Sequence, residues 1–212
     1  MKPERRPGGQ RAAGSRRVNF REPAQTFLIV CEGQKTEKLY FEAFKAPKDV
    51  RGINVVGTGL NTSSLVREAM RIRDQARSDY DQVWVVFDVE DYSAQAIHEA
   101  IALAQKNGVQ VACSNQAFEL WYLLHFHYYH TATSRQQYIE TLSRLLGFPY
   151  QKNVCIYHRL IDRQGEALRN AIKLLQEYQF DDPARNDPST GVHLLVEELN
   201  RFSPEARAAQ GQ

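Results

Sequence analysis

Two apolar runs in this 212-residue chain end on acids. Phe27-Leu28-Ile29-Val30-Cys31 leads into Glu32-Gly33, and Val83-Trp84-Val85-Val86-Phe87 leads into Asp88-Val89-Glu90-Asp91. Apolar runs without polar alternation are the pattern of parallel strands covered on both faces. Sheets of that kind bind ligands in the crevice outside the carboxyl ends of their strands. If the two strands are neighbours, their axes lie about 4.8 Å apart, and Glu32 and the Asp88 cluster meet in one pocket. Like charges ~4 Å apart repel by about 4 kcal/mol per pair at an effective dielectric near ~20. A bound Mg²⁺ or Mn²⁺ is the usual means of offsetting that repulsion.

The rest of the chain alternates strand and helix signals. The spacing of Leu39, Tyr40, Ala43 and Phe44 predicts a helix over 36–46, stopped by Pro47. Residues 53–56 read as a second strand. The Gly57–Ser64 loop then opens a helix carrying Leu65, Val66, Ala69, Met70 and Ile72, with a hydroxyl or amide as its cap. The third strand covers 82–87, a helix covers 94–106, Gly108 closes it, and 109–113 is a fourth strand. Helices are predicted beyond it over about 116–129, 134–146, 160–178 and 190–200. Right-handed crossovers between four strands imply an α/β fold with a four-stranded parallel sheet and helices on both faces. A flavodoxin-like 2-1-3-4 order would put the two acid-tipped strands side by side, with a helical C-terminal extension following.

Charge is unevenly spread. Residues 1–22 hold seven basic and two acidic side chains, so they carry +5 of a chain whose net charge is +2, and the remainder carries −3. Residues 1–25 therefore read as a disordered basic tail able to make salt-dependent contacts with phosphates, or as a solvated tail with no partner. One domain is expected over 26–200, with its sheet core in about 26–114 and its helical part in about 115–200, before a flexible 201–212. No apolar stretch approaches the ~20 residues of a membrane span. Cys31, Cys113 and Cys155 are isolated and odd in number, which suits a reducing cytoplasm and lacks zinc-site spacing.

Several side chains are candidates for chemistry, each with a plainer alternative. Glu32-Gly33 either delivers a carboxylate from a sharp turn, with Lys35 close behind, or is an ordinary strand-to-helix turn. Asp88 and Glu90, two apart on an extended segment, can face the same way and chelate together with Asp91 beside them; otherwise they form an acidic helix start. Glu119 lies in a segment, 117–126, that is apolar nearly all round and so buried. It needs a partner, a shifted pKa or a cation, or else it serves the helix dipole. Asn115 reads as a helix cap and His125 as a core residue or a support for the site. No Walker lysine motif is present.

Leu28 to Glu37, Val83 to Asp91, Ser114 to Phe126 and Pro188 to His193, taken in order, resemble the RloB-like family across about 26–200. That resemblance implies a bacterial restriction or abortive-infection setting, often beside an ABC-type ATPase. Its first two blocks look like a TOPRIM domain, in which a glutamate after strand one and an Asp-x-Asp after a later strand hold Mg²⁺ for phosphodiester chemistry. Glu32 carries over to the glutamate and Asp88 to the first aspartate. The second aspartate falls at Glu90, with Asp91 next to it, and either acid is a candidate for that ligand. The leading expectation is a Mg²⁺- or Mn²⁺-dependent nuclease of phage defence acting on tRNA, other RNA or DNA. Glu32, Asp88 and Glu90 would carry the chemistry, and Lys35 would steady phosphate charge. Gly33, Asn115, Glu119 and His125 are supporting candidates, and Lys152 and His193 are candidate substrate contacts. The alternative is a non-catalytic module that senses nucleic acid or binds the ATPase, and a homo-oligomer is compatible with either. A small-molecule-binding flavodoxin-like domain lacks a cofactor loop.

Overall fold

Along the strand Gln25–Cys31 (β1), Phe27, Ile29 and Cys31 pack on one side of the sheet and Leu28 and Val30 on the other, all fully buried. That two-sided burial is what the unbroken apolar run requires, and it makes β1 an interior strand. The computed structural model describes residues 25–44, 50–77, 79–89, 92–179 and 182–201. Residues 1–24 of the expected tail, Glu90 and Asp91, and all but the first residue of 201–212 lie outside the described residues.

β1 is followed by α1 (Thr36–Glu42), β2 (Val50–Gly57), α2 (Thr62–Gln75), β3 (Gln82–Asp88), α3 (Ala94–Lys106) and β4 (Gln110–Asn115). Then come α4 (Glu119–Leu124), α5 (Arg135–Leu146), α6 (Tyr157–Leu160), a 3₁₀ turn over Ile161–Arg163, α7 (Gln164–Gln176), β5 (Ser189–Thr190) and α8 (Val192–Asn200). The sheet order is β2-β1-β3-β4-β5, parallel except for β5. The 2-1-3-4 order is therefore the one expected, and Cys31 pairs in register with Val86, so the acids following β1 and ending β3 emerge at the same edge.

Three expectations are corrected. The sheet has five strands, because Ser189 and Thr190 pair antiparallel with Asn115 and Ser114. The helix expected over 116–129 is only Glu119–Leu124, and that expected over 160–178 is divided by the 3₁₀ turn. The helical C-terminal part packs on the sheet. α2 and α3 cover one face of the sheet, while α1 and α4 to α8 share a single core on the other.

An aromatic cluster ties α1 to α4. Tyr40 packs edge-on against Phe118 and Trp121, with centroids 5.7 and 6.4 Å away, and Phe41 lies edge-on to Phe118. Each such pair contributes roughly 0.5–1.5 kcal/mol beyond its area burial. The Tyr122 hydroxyl donates to the Thr36 carbonyl at 3.2 Å, fixing the first turn of α1 over α4. This packing brings Glu37 and Glu119, one from each helix, toward the carboxyl edge of the sheet.

Candidate functional site

A cleft of about 280 Å³ opens at that edge, lined on its acidic side by Glu32, Glu37, Asp88 and Glu119 and on its basic side by Lys35, Arg135 and Lys152. Its floor is built by backbone pairing. The Glu32 N–H donates to the Val86 carbonyl at 2.8 Å, and Thr58 and Gly59 N–H groups donate to the Cys31 and Glu32 carbonyls at 3.0 and 2.9 Å. Those donors of the loop after β2 are thus spent on the turn that carries Glu32.

Glu32 Oε1 accepts from the Tyr92 hydroxyl at 2.7 Å, and Oε2 accepts from the Asp88 backbone N–H at 3.3 Å. The two acids therefore meet, as neighbouring strands require. Asp88 Oδ1 accepts from the Phe118 N–H at 2.9 Å, and Oδ2 accepts from Arg135 Nη2 at 3.2 Å. The helix start expected to be capped by Asn115 is held by Asp88 instead. Asn115 is buried, and its amide reaches the Pro183 carbonyl at 3.5 Å.

Glu119 is 1 % exposed and has the partners its burial demands: the Tyr150 hydroxyl donates to Oε1 at 3.3 Å, and Lys152 Nζ lies 3.8 Å away. Burial, then the charges of Glu37 and Glu119, push the Asp88 carboxyl well above the ordinary aspartate range, with Arg135 opposing them. Burial also raises Glu37, helped by Glu119 and opposed by a backbone bond and Lys152. Both shifts come first from burial, with the neighbouring carboxylates adding to it.

Gly33 lines the cleft without needing a left-handed backbone. A Cβ there would overlap the Glu37 carboxylate, so the glycine allows that side chain to fold back across the turn. Lys35 is exposed at the rim. His125 is fully buried, its Nδ1 donating to the Trp121 carbonyl at 2.8 Å, and burial pushes its pKa down to about 4. His193 is 2 % exposed, with Nδ1 donating to the Thr190 carbonyl at 2.9 Å, and it does not line the cleft. Glu90 and Asp91 lie outside the described residues, so the second acid of the Asp88 segment is not placed.

Sequence reasoning missed Glu37 and Arg135. Glu37 is in the first turn of a helix that starts at the cleft, a position readable from Thr36 onward. Arg135 follows the helix cap Ser134, which with Gln137 forms the S-x-x-Q box that marks a helix start. Neither signal says which edge of the sheet the helix end will face.

Among the described residues no group of three or more His, Cys, Asp or Glu side chains is arranged to hold a metal ion. The donor set does fit a hard, largely hydrated cation. Mg²⁺ usually keeps several waters and takes one or two carboxylates plus phosphate oxygens, which matches the pair Glu32 and Asp88 in a cleft with excess negative charge.

Fold and site together define an α/β protein with a carboxylate-lined cleft at the carboxyl edge of a β2-β1-β3-β4 parallel sheet. The chain belongs to the RloB-like protein family, whose family model matches residues 27–199. No curated protein and no solved structure matches it. No described helix is long and apolar enough to cross a membrane.

Proposed function

We propose that this chain is a TOPRIM-like, divalent-cation-dependent phosphodiester hydrolase acting on nucleic acid in bacterial phage defence, alongside an ABC-type ATPase. The observation that carries the reading is the meeting of Glu32 and Asp88, from adjacent parallel strands, in one cleft. Glu32 and Asp88 would hold Mg²⁺ or Mn²⁺, with Glu90 or Asp91 as a further ligand. When bound, such an ion polarises a phosphodiester and lowers the pKa of its water.

The chain's own residues do the rest. Tyr92 and the Asp88 N–H orient the Glu32 carboxylate, and the Phe118 N–H orients Asp88. Lys35 and Lys152 receive phosphate charge at the rim. The buried pair Glu37 and Glu119 adds negative potential that favours a cation. Cys31, Cys113 and Cys155, none of them in a disulfide among the described residues, support a cytoplasmic setting.

One observation favours a second reading, a non-catalytic module that senses nucleic acid or binds the ATPase. Asp88 is engaged by Arg135, and all four carboxylate oxygens of Glu32 and Asp88 already accept hydrogen bonds. The experiment that separates the two incubates the purified chain, with and without the ATPase, with tRNA, other RNA and DNA in Mg²⁺, Mn²⁺ or chelator. Hydrolysis requires cleavage that disappears with chelator and in Glu32→Ala. Cleavage that survives both sinks the metal mechanism, and binding of the ATPase with no cleavage under any condition favours the module.

A further inference from the structure

Between α4 and α5 the chain runs through Phe126-His127-Tyr128-Tyr129-His130, five ring-bearing side chains in a row, none of which lines the carboxylate cleft. Alternate residues of an extended segment face the same way, and the rings pair accordingly. His127 meets Tyr129 with centroids 6.0 Å apart, while Tyr128 and His130 stack at 5.2 Å with their planes 13° apart. Tyr129 also packs edge-on against the buried Tyr138 of α5 at 5.6 Å, so that side of the segment serves the core. The Tyr128 side faces α7: Lys173 Nζ lies 4.0 Å from the centre of its ring, and its hydroxyl donates to Glu177. One residue before α7, the Arg163 guanidinium lies 5.3 Å over Phe126. His130, Arg163 and Lys173 are all exposed. The two cations stand roughly 15 Å apart along α7 at the rise of a helix.

Resting on the nucleic-acid substrate proposed above, we infer that the Tyr128–His130 stack, flanked by Arg163 and Lys173, is a platform for unpaired nucleotides, and that the cleft's substrate class is single-stranded RNA or DNA. Flat rings interleaved with cations are the chemistry that holds a single strand, whose bases stack on the rings while its phosphates meet the cations. Paired bases cannot stack there, because their faces are already covered within the duplex. His130 has Tyr128 as its one ring partner among the described residues, so a base can extend the column from the exposed imidazole. Charge alone does not account for the surface, since Glu177 sits beside Tyr128 and residues 23–212 carry a net −3. Stacking supplies most of the affinity. The segment also leads toward the cleft: Tyr138, on which Tyr129 packs, lies one helical turn beyond Arg135, a residue of the cleft lining.

The test is fluorescence anisotropy of labelled strands of about 12 nucleotides, within the site sizes of single-strand binders, titrated with the full chain in chelator so that binding is read apart from hydrolysis. Single-stranded RNA and DNA are both expected to bind, with the matching duplex and an abasic strand of equal length at least about tenfold weaker. His130→Ala and Tyr128→Ala should each weaken single-strand binding about tenfold, whereas Tyr128→Phe, which keeps the ring and drops the Glu177 bond, should not. Arg163→Ala and Lys173→Ala should each flatten the slope of log K against log salt by about 0.7, one phosphate contact apiece. Because His130 is exposed, its truncation keeps the test decisive even if Tyr128→Ala fails to fold. A duplex or an abasic strand bound as tightly as the single strand overturns the inference, as does unchanged affinity in His130→Ala or no binding to any strand. Cleavage in Mg²⁺ alongside any of those results leaves the hydrolase standing without the platform. Single-strand binding that depends on His130, with no cleavage in Mg²⁺ or Mn²⁺, supports the platform and sinks the hydrolase.

Discussion

The carboxylate of Glu37 lies across the backbone of Gly33, so close that a Cβ at residue 33 would overlap it. Glu32 and Glu37 are thereby brought to the same turn, and the glycine between them is set by packing, not by backbone conformation. Gly33→Ala should cost about 1–2 kcal/mol in urea denaturation, the lower part of the overpacking range because a carboxylate at the end of a side chain can yield. In a Glu37→Ala background the same change should cost much less. That difference is a coupling between contacting residues, read by a double-mutant cycle. Equal costs in both backgrounds would show that Gly33 is needed for another reason.

Asp88 and Glu37 are both raised by burial first and by neighbouring carboxylates. An acid whose folded pKa exceeds its unfolded value holds its proton more tightly in the folded state. Its stabilising contribution is complete below the ordinary values, 3.8 for Asp and 4.5 for Glu, and is lost as pH rises through the raised ones. Stability measured upward from the ordinary carboxylate range should therefore fall with rising pH through these two groups, and Asp88→Asn with Glu37→Gln should flatten the fall. Mg²⁺ should stabilise more at the alkaline end, because carboxylate ligands must be ionised to bind it.

Asp88 serves two structural partners with its two oxygens, and they can be separated by substitution. Asp88→Asn keeps an oxygen for the Phe118 N–H and should leave the start of α4 intact while weakening cation binding. Asp88→Ala removes both and should cost about 1 kcal/mol more than the asparagine variant, the scale of a lost helix cap. Thermal denaturation of the two variants beside Mn²⁺ titration checks this; equal stability would mean that the Phe118 bond contributes nothing.

The Glu32 carboxylate accepts from the Tyr92 hydroxyl and the Asp88 N–H. Tyr92→Phe removes one of those donors. The loss should be about 1.5 kcal/mol or more, the scale of a hydrogen bond to a charged group. A denaturation midpoint unchanged from wild type would mean that the carboxylate is oriented by other means.

What could be read from the chain follows from where the information is local. β1 and β3 announce themselves because strands buried on both faces are apolar throughout, and the acids after them follow by adjacency. The 94–106 helix was bounded correctly because Ser93 caps one end and Gly108 follows the other. β5 was invisible: Ser189 and Thr190 are polar, and they form a strand only because Asn115 and Ser114 lie opposite. α4 was read too long because a segment apolar all round has no periodicity to mark its end. Glu37 and Arg135 reach the cleft through helix packing on one sheet face, a long-range property that no local pattern encodes.

The central claim is that Glu32 and Asp88 share one divalent cation. Anomalous diffraction from crystals of the full chain equilibrated with Mn²⁺ and inorganic phosphate measures this directly. The expected result is a single strong peak bonded to oxygens of both carboxylates at about 2.1–2.2 Å, close to the distance a hard octahedral cation takes. A cleft with no such peak would contradict it.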